Sequence, residues 1–576
     1  MLVCLIFKDL LLERAVGMSE VCVELVGKLV EEMLGLSKEE LSPSDNLISL
    51  GLGSLDIMRI AGLLTKNGCN VTFSELVSNP CMASWVNFAR ERSARSSSNG
   101  SPLLGSANYS KGDPFPITSV QHAYMVGRRD GQELGGTACH AYMEFECGSL
   151  DAAKLERAVE LLILRHPMLR ARFSDDGTAR IEDKVTWKGL TTYRVEGAGN
   201  PDSRIEGIRQ ELSHLRFDIE QDDLIDVRLT VVSPKRTIMH INVDLLAADV
   251  LSIQVLLEDL AHLYDGTDLA PIEIDFMEYA RRTGIGEDAR NEDREYWLNR
   301  IDNMPGGPSL PLKAPMESVK RSQFTRMEYL IDSKSWKNFT EKGRQIGVTQ
   351  SMGIAAVYAK ALSRWSEDKK FLLNLPLFNR KPIHPDVDKI VSDFTSLILL
   401  EADCANAISL LELASQMQGR FQQDVAHSSF GAVEVLRELS HRCPNDPKKA
   451  PVVFASNIGT QFISNKVEDV FGPLSKMLAE TPQVLLDHQI YDHKNGLLLA
   501  WDYVSELLDD KIAKQMFEAY CTAVRFYCEN DWSEPFPDLL PPSQRAARAE
   551  ANSEGADLGG GTLHGRFFAR AQAEPD

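Results

Sequence analysis

Residues 237–249 read TIMHINVDLLAAD. Thr237 to Val243 is rich in β-branched and apolar side chains and predicts a buried strand. Asp244-Leu-Leu-Ala-Ala-Asp249 leads on to Ser252–Tyr264, whose apolar spacing predicts a helix. The same mixture runs from Phe115 to about Pro541. Asp151–Arg165 and Val348–Trp365 read as helices, and Phe371–Phe378 (FLLNLPLF) as a strand. That stretch exceeds one core, so the expectation is two α+β lobes with a cleft between them.

The whole chain has 576 residues, and 43% hydrophobic with 25% charged residues is an ordinary globular composition. A net charge of −21 opposes a phosphate backbone, so nucleic acid is not an expected partner. No window approaches the ~18 apolar residues that cross a bilayer, so no membrane partner is expected either. The 10 cysteines form no CxxC pair and do not cluster with histidine, which argues against a disulfide framework or metal site and fits a reducing cytoplasm. Residues 1–18 have two readings, a leader or an upstream extension before a start at Met18.

Residues 19–95 read as a small four-helix unit. Val21, Leu25, Leu29 and Met33 mark one helix, Ser54–Lys66 a second, Thr72–Val77 a short third and Cys81–Arg92 a fourth. Ser37-Lys-Glu-Glu40 has the form of a capping box. Residues 96–113, within the Ser-, Gly- and Asn-rich stretch Ala94–Asp113, are a linker.

Asn46 to Ile60 reads NLISLGLGSLDIMRI. A serine at a helix start, such as Ser54, is most often an N-cap. Its apolar surroundings, the loop glycines Gly51 and Gly53, and the flexible linker beyond point elsewhere. Gly51-Leu-Gly-Ser54-Leu55 resembles the Gly-x-x-Ser-Leu/Ile loop of the carrier proteins of nonribosomal peptide synthetases. Asn46-Leu-Ile and Lys66-Asn-Gly are similar to the aryl carrier proteins of siderophore assembly lines. The resemblance implies 4′-phosphopantetheine joined to Ser54, at a helix N-terminus suited to phosphate. Gly53 stands where many such motifs have Asp.

The large region carries Phe115–Arg128 (FPITSVQHAYMVGR), Arg165–Ala171 (RHPMLRA) with Asp176-Gly177, Asp244–Asp249, and Leu310-Pro-Leu312. Ser392-Asp-Phe-Thr395, Ala450–Ser456 (APVVFAS) and Thr481–Gln489 (TPQVLLDHQ) follow. Together they resemble a heterocyclization domain, a variant of the condensation domain. That implies two chloramphenicol-acetyltransferase-like lobes over 114–543, roughly 114–275 and 276–543. The layout is similar to the starter modules of yersiniabactin- and pyochelin-type siderophore synthetases. Condensation domains carry His-His-x-x-x-Asp-Gly, and here Leu245 replaces the active histidine. The family reading makes Asp244 and Asp249 architectural. A carboxylate ending a buried strand needs a partner, with Arg170 and Arg172 as candidates.

Heterocyclization joins the amine of a carrier-bound Cys, Ser or Thr to an aryl thioester, closes the side chain on the new amide, and expels water. A carboxylate can shuttle those protons. The family motif assigns that role to Asp487, beside a threonine that is Ala455 here. Ser456 is adjacent, yet neighbours in a strand face opposite ways. Tyr124, Thr395, Ser456 and Gln483 are candidate tunnel or substrate contacts, and Gly127-Arg128 is expected to shape the tunnel with Tyr124. His166, His488 and His493 read as packing or solvent-facing.

Three functions stay open: aryl condensation with ring closure, condensation alone because of Ala455, and a catalytically dead carrier or docking protein. Residues 544–576 are a linker followed by Leu563-His-Gly-Arg-Phe-Phe-Ala-Arg-Ala, which resembles the opening of an adenylation domain. Implied partners are a phosphopantetheinyl transferase, an adenylation protein that activates salicylate or 2,3-dihydroxybenzoate, and a downstream aminoacyl carrier or adenylation protein.

Overall fold

The computed structural model describes residues 112–553 apart from 196–199, 284–286, 379, 382 and 444–447, together with 564–574. Of residues 23–93 it describes all but 32, 35, 37–40, 49, 51, 53–56, 58–59, 62–63, 65–68, 70, 72–74 and 77–78. The expected capping box at 37–40 and the leader 1–18 lie outside the described residues, as does all of the expected linker 96–113 except 112–113.

Val26, Val30, Leu47, Leu52, Ile57, Ile60, Leu64 and Trp85 belong to the N-terminal core. The first helix therefore buries Val26 and Val30, while Leu25, Leu29 and Met33 pack at the edge of that core. The last helix is Met82–Ser93, and the Trp85 indole N–H donates to the Leu76 carbonyl across 2.9 Å.

In the large region the strands are, in chain order, β1 (Phe115–Pro116), β2 (His140–Cys147), β3 (Ala171–Ser174), β4 (Thr178–Ile181), β5 (Thr191–Arg194), β6 (Ile225–Ser233) and β7 (Arg236–Asp244). Then come β8 (Phe324–Asp332), β9 (Lys370–Phe378), β10 (Thr395–Asp403), β11 (Val452–Gln461), β12 (Leu474–Glu480), β13 (Leu486–His493) and β14 (Gly496–Val504). They build a small sheet β1-β4-β3, a five-stranded sheet β12-β2-β7-β6-β5 and a six-stranded sheet β10-β9-β11-β13-β14-β8. A division at 275/276 does not anticipate β12. The chain leaves the six-stranded sheet after β11, pairs β12 antiparallel with β2, and returns as β13.

The helices start where polar side chains accept their orphan N–H groups. Asp151 caps Ala152–Arg165, Asp249 caps Val250–Tyr264, and Thr349 caps Gln350–Ser363. Leu155, Leu162, Leu256 and Leu260 of the first two cluster with Met143, Phe145, Met239 and Ile241 of the five-stranded sheet. On the six-stranded sheet, Tyr358, Phe454, His488, Trp501 and Tyr520 make an aromatic cluster.

Residues 537–576 form a separate unit. Its helices are Pro542–Ser553 and Gly565–Ala573, so part of the stretch expected as a linker is helical.

Candidate active site

Strand alternation sends one set of side chains into a cavity of about 550 Å³. Asn374 of β9, Thr395 of β10, Val453 and Ala455 of β11, and Asp487 and Gln489 of β13 line it. Ala141 of β2 and Ala479 of β12 bring in the five-stranded sheet, and Tyr124, Leu245 and Asp249 add to the wall.

Asp487 sits in a row that crosses the six-stranded sheet. Arg326 pairs with Asp502, Asp502 with Asp487, Asp487 with Val453, and Val453 with Asn374. The Arg326 guanidinium donates to both Asp502 oxygens, at 2.7 and 2.5 Å, and to Gln489 Oε1 at 2.8 Å. The Tyr491 hydroxyl also donates to Gln489 Oε1 (2.5 Å). The amide is thereby oriented, and its Nε2 donates to Asp487 Oδ2 (2.6 Å). Asp487 Oδ1 is buried and has no hydrogen-bond partner. Burial, reinforced by the Asp502 charge, pushes the Asp487 carboxyl up to about 7. A carboxyl so placed can give or take a proton near neutral pH.

The two aspartates of the Asp244–Asp249 loop are fixed by arginines. Arg128 Nη1 donates to Asp244 Oδ2 at 2.7 Å, with the arginine 4% and the aspartate 0% exposed. Arg170 and Arg172, the partners expected from sequence, are engaged elsewhere. Arg170 donates to the carbonyls of Ile163, Leu164 and Glu182, and Arg172 pairs with Asp223. Arg380 Nη2 donates to Asp249 Oδ1 (2.9 Å), which also accepts the Ser252 N–H that starts the helix.

Tyr124 and Thr395 line the cavity as well. Gln483 borders it with φ 65, a left-handed conformation in which its N–H donates to the Leu134 carbonyl at 2.7 Å. Gly127 shapes this wall by its lack of a side chain, because a Cβ there would stand 2.6 Å from the Pro482 Cβ. Arg128 serves Asp244 instead of the tunnel wall. Ser456 is not brought to the cavity: its hydroxyl shares a 2.7 Å hydrogen bond with that of Ser351. Ala455 offers only a methyl group.

His488, next to Asp487, turns into the aromatic cluster. Its Nδ1–H donates to the Ala500 carbonyl and its Nε2 accepts from the Tyr520 hydroxyl. Burial lowers it to about 3, so it stays neutral. His166 is buried against Asp259, and His493 is exposed. Ser54 lies outside the described residues, although the Leu50 carbonyl upstream accepts from Arg344 Nη1 at 3.0 Å.

Sequence reasoning assigned no role to Asn374, Asp393 or Gln489, all of which line the cavity. Asn374 Oδ1 and Asp393 Oδ2, like Asp487 Oδ1, are buried without a partner. These acceptors fit a guest that brings N–H, O–H or S–H donors. The two amide N–H groups of a pantetheine arm and the amine and thiol of an aminoacyl substrate are such donors.

Residues 115–530 match the Condensation domain family, and residues 24–89 match the Phosphopantetheine attachment site family. The chain is 35% identical over 567 residues to the phenyloxazoline synthase MbtB of Mycobacterium tuberculosis (strain ATCC 25618 / H37Rv), covering 96% of this chain and 40% of that protein. It is 34% identical over 565 residues to the pyochelin synthetase PchE of Pseudomonas aeruginosa PAO1, covering 97% of this chain and 39% of PchE. The chain thus spans less than half the length of these curated relatives. Among solved structures, the EpoB cyclization-docking bidomain from Sorangium cellulosum is 30% identical with a TM-score of 0.67. That likeness covers 73% of this chain and 87% of the bidomain.

Proposed function

The chain belongs to the condensation-domain family, with a phosphopantetheine attachment domain ahead of it, and from that premise we propose that it starts a siderophore-type peptide. Ser54 holds the phosphopantetheine, and the cavity acceptors receive its arm. Once attached, that group presents an aryl acid, salicyl or 2,3-dihydroxybenzoyl, as a reactive thioester. The cavity joins the aryl group to a carrier-bound cysteine, serine or threonine and closes a thiazoline or oxazoline ring. The aryl-activating protein, the pantetheinyl transferase and the downstream aminoacyl carrier are its partners.

The observation that carries this reading is Asp487. Its Oδ1 faces no partner, its Oδ2 is fixed by Gln489, and its affinity for a proton is near neutral. Ring closure needs a group that removes a side-chain proton and protonates the departing oxygen, and this carboxyl can do both by turns. Asp244 and Asp249 spend their charge on Arg128 and Arg380, so they set geometry.

Ala455 favours a second reading, condensation without ring closure, because the family threonine's hydroxyl is missing and Ser456 faces away. The intact mass of a cysteinyl carrier, after reaction with the salicyl-loaded chain, separates the two. A gain of salicyl less one water is the expected result; a gain of the whole salicyl unit establishes the second reading.

A further inference from the structure

We propose that Asp393 is the base of the amide-forming step, taking from the attacking amine the proton that Leu245, in the histidine's place, cannot take. The inference rests on the reading that this cavity joins a thioester to an amine. Asp393 and Leu245 border the same cavity. Asp393 Oδ1 accepts the Thr395 N–H at 3.0 Å, which fixes the side chain, while Oδ2 is buried with no partner.

The charged surroundings leave this carboxyl unneutralised. Arg380, stacked over the neighbouring Phe394 ring at 4.3 Å, gives its hydrogen bonds to Asp249, Ser252 and the carbonyls of Val387, Asp388 and Ile390. Asp249 adds like charge, and Tyr124 and Cys139 also lie within its electrostatic reach. Arg128 is committed to Asp244. Burial first, with Asp249 adding, brings Asp393 up to about 7, so both protonation forms are present at neutral pH.

The step balances without a further reactant. The amine lone pair forms the C–N bond to the thioester carbon as the carbonyl π pair moves to oxygen. Asp393 Oδ2 takes the proton from nitrogen. The carbonyl re-forms, the C–S bond breaks, and sulfur leaves with the pair and receives that proton. Amine and thioester become amide and thiol, and Asp393 is again a carboxylate. Asp487 then serves ring closure, so the two carboxyls divide the chemistry by step.

The test loads wild type, D393N, D393E and D487N with salicyl-pantetheine and follows the mass of a cysteinyl carrier between about pH 6 and pH 8.5. Asparagine at 393 still accepts the Thr395 N–H, so the turn is preserved. The expected result is that D487N delivers the whole salicyl unit, whereas D393N delivers any salicyl product about 100-fold more slowly than wild type. Transfer by D393N within a few-fold of wild type overturns the proposal while leaving the ring-closing reading standing. Should D393N melt below wild type, the pH profile of amide formation in D487N and in D487N/D393E decides. An inflection that moves with D393E supports the proposal, and one that stays put overturns it. A wild type that delivers the whole salicyl unit sinks the ring-closing reading alone, since D393N still reports on amide formation. A wild type that transfers nothing overturns both.

Discussion

Asp487 is a carboxyl held against its preference for charge. Burial raises it to about 7 from an ordinary 3.8, so between those values the folded chain binds more protons than the unfolded one. Its contribution to stability is therefore full below about pH 3.8 and is lost as pH rises through about 7. Asp487→Asn is expected to stabilise the chain by a few kcal/mol at pH 8 and by less at pH 5, read from thermal melts at the two pH values. The same change should lower ring closure about 100-fold or more while amide accumulates, read by acceptor mass. Ala455→Thr restores the family hydroxyl and should raise the cyclised fraction; an unchanged fraction would mean that Asp487 needs no such helper. Asp487 was legible in the sequence because the family motif assigns it a role. The roles of Asp393, although it stands in the Ser392–Thr395 motif, and of Asn374 were not, because what singles them out is an oxygen left unpaired, and pairing is settled by strands far apart in the chain. Gln489 closes the quoted Thr481–Gln489 motif, but its hold on Asp487 was hidden for the same reason, since its orientation depends on Arg326 and Tyr491.

At the scale of elements, the end of β7 and the helix Val250–Tyr264 are held by cations from other parts of the chain. Removing Arg128 as Arg128→Met leaves Asp244 charged and buried without its cation, the Leu246 N–H its remaining donor, which should cost about 3–5 kcal/mol in a denaturant titration. Asp249→Ala removes both the helix cap and the Arg380 pair, and the cap alone is worth about 1 kcal/mol. The strand and helix of 237–264 were readable from periodicity, within a residue or two of their ends. Their partners were not. Arg170 and Arg172 were nearer in sequence, whereas Arg128 reaches Asp244 across 116 positions. The first N-terminal helix shows a milder limit. A four-residue spacing selects Leu25 and Leu29, yet Val26 and Val30, spaced alike one residue on, are the fully buried pair and the leucines flank them, so spacing alone does not say which of two adjacent apolar rows faces the core.

Over the whole molecule, composition and motif order were enough to expect two α+β lobes with a cleft, but not that a strand changes sheets. Gly472 makes that exchange possible. Its φ of 78 and ψ of −175 belong to a region essentially restricted to glycine, and a Cβ there would lie 2.2 Å from the Glu146 carbonyl oxygen. Gly472→Ala should therefore cost about 2 kcal/mol or more and loosen β12 from β2, with faster amide hydrogen exchange in both strands as the measurement. The exchange also bears on how the chain can be cut. A piece ending at residue 275 would carry β2 with its outer edge bare, since β12 is what covers it. A bare edge of eight residues is a template for strands of other molecules, so that piece should self-associate. A peptide spanning β12, added in trans, should compete with self-association and return the piece to solution as a monomer.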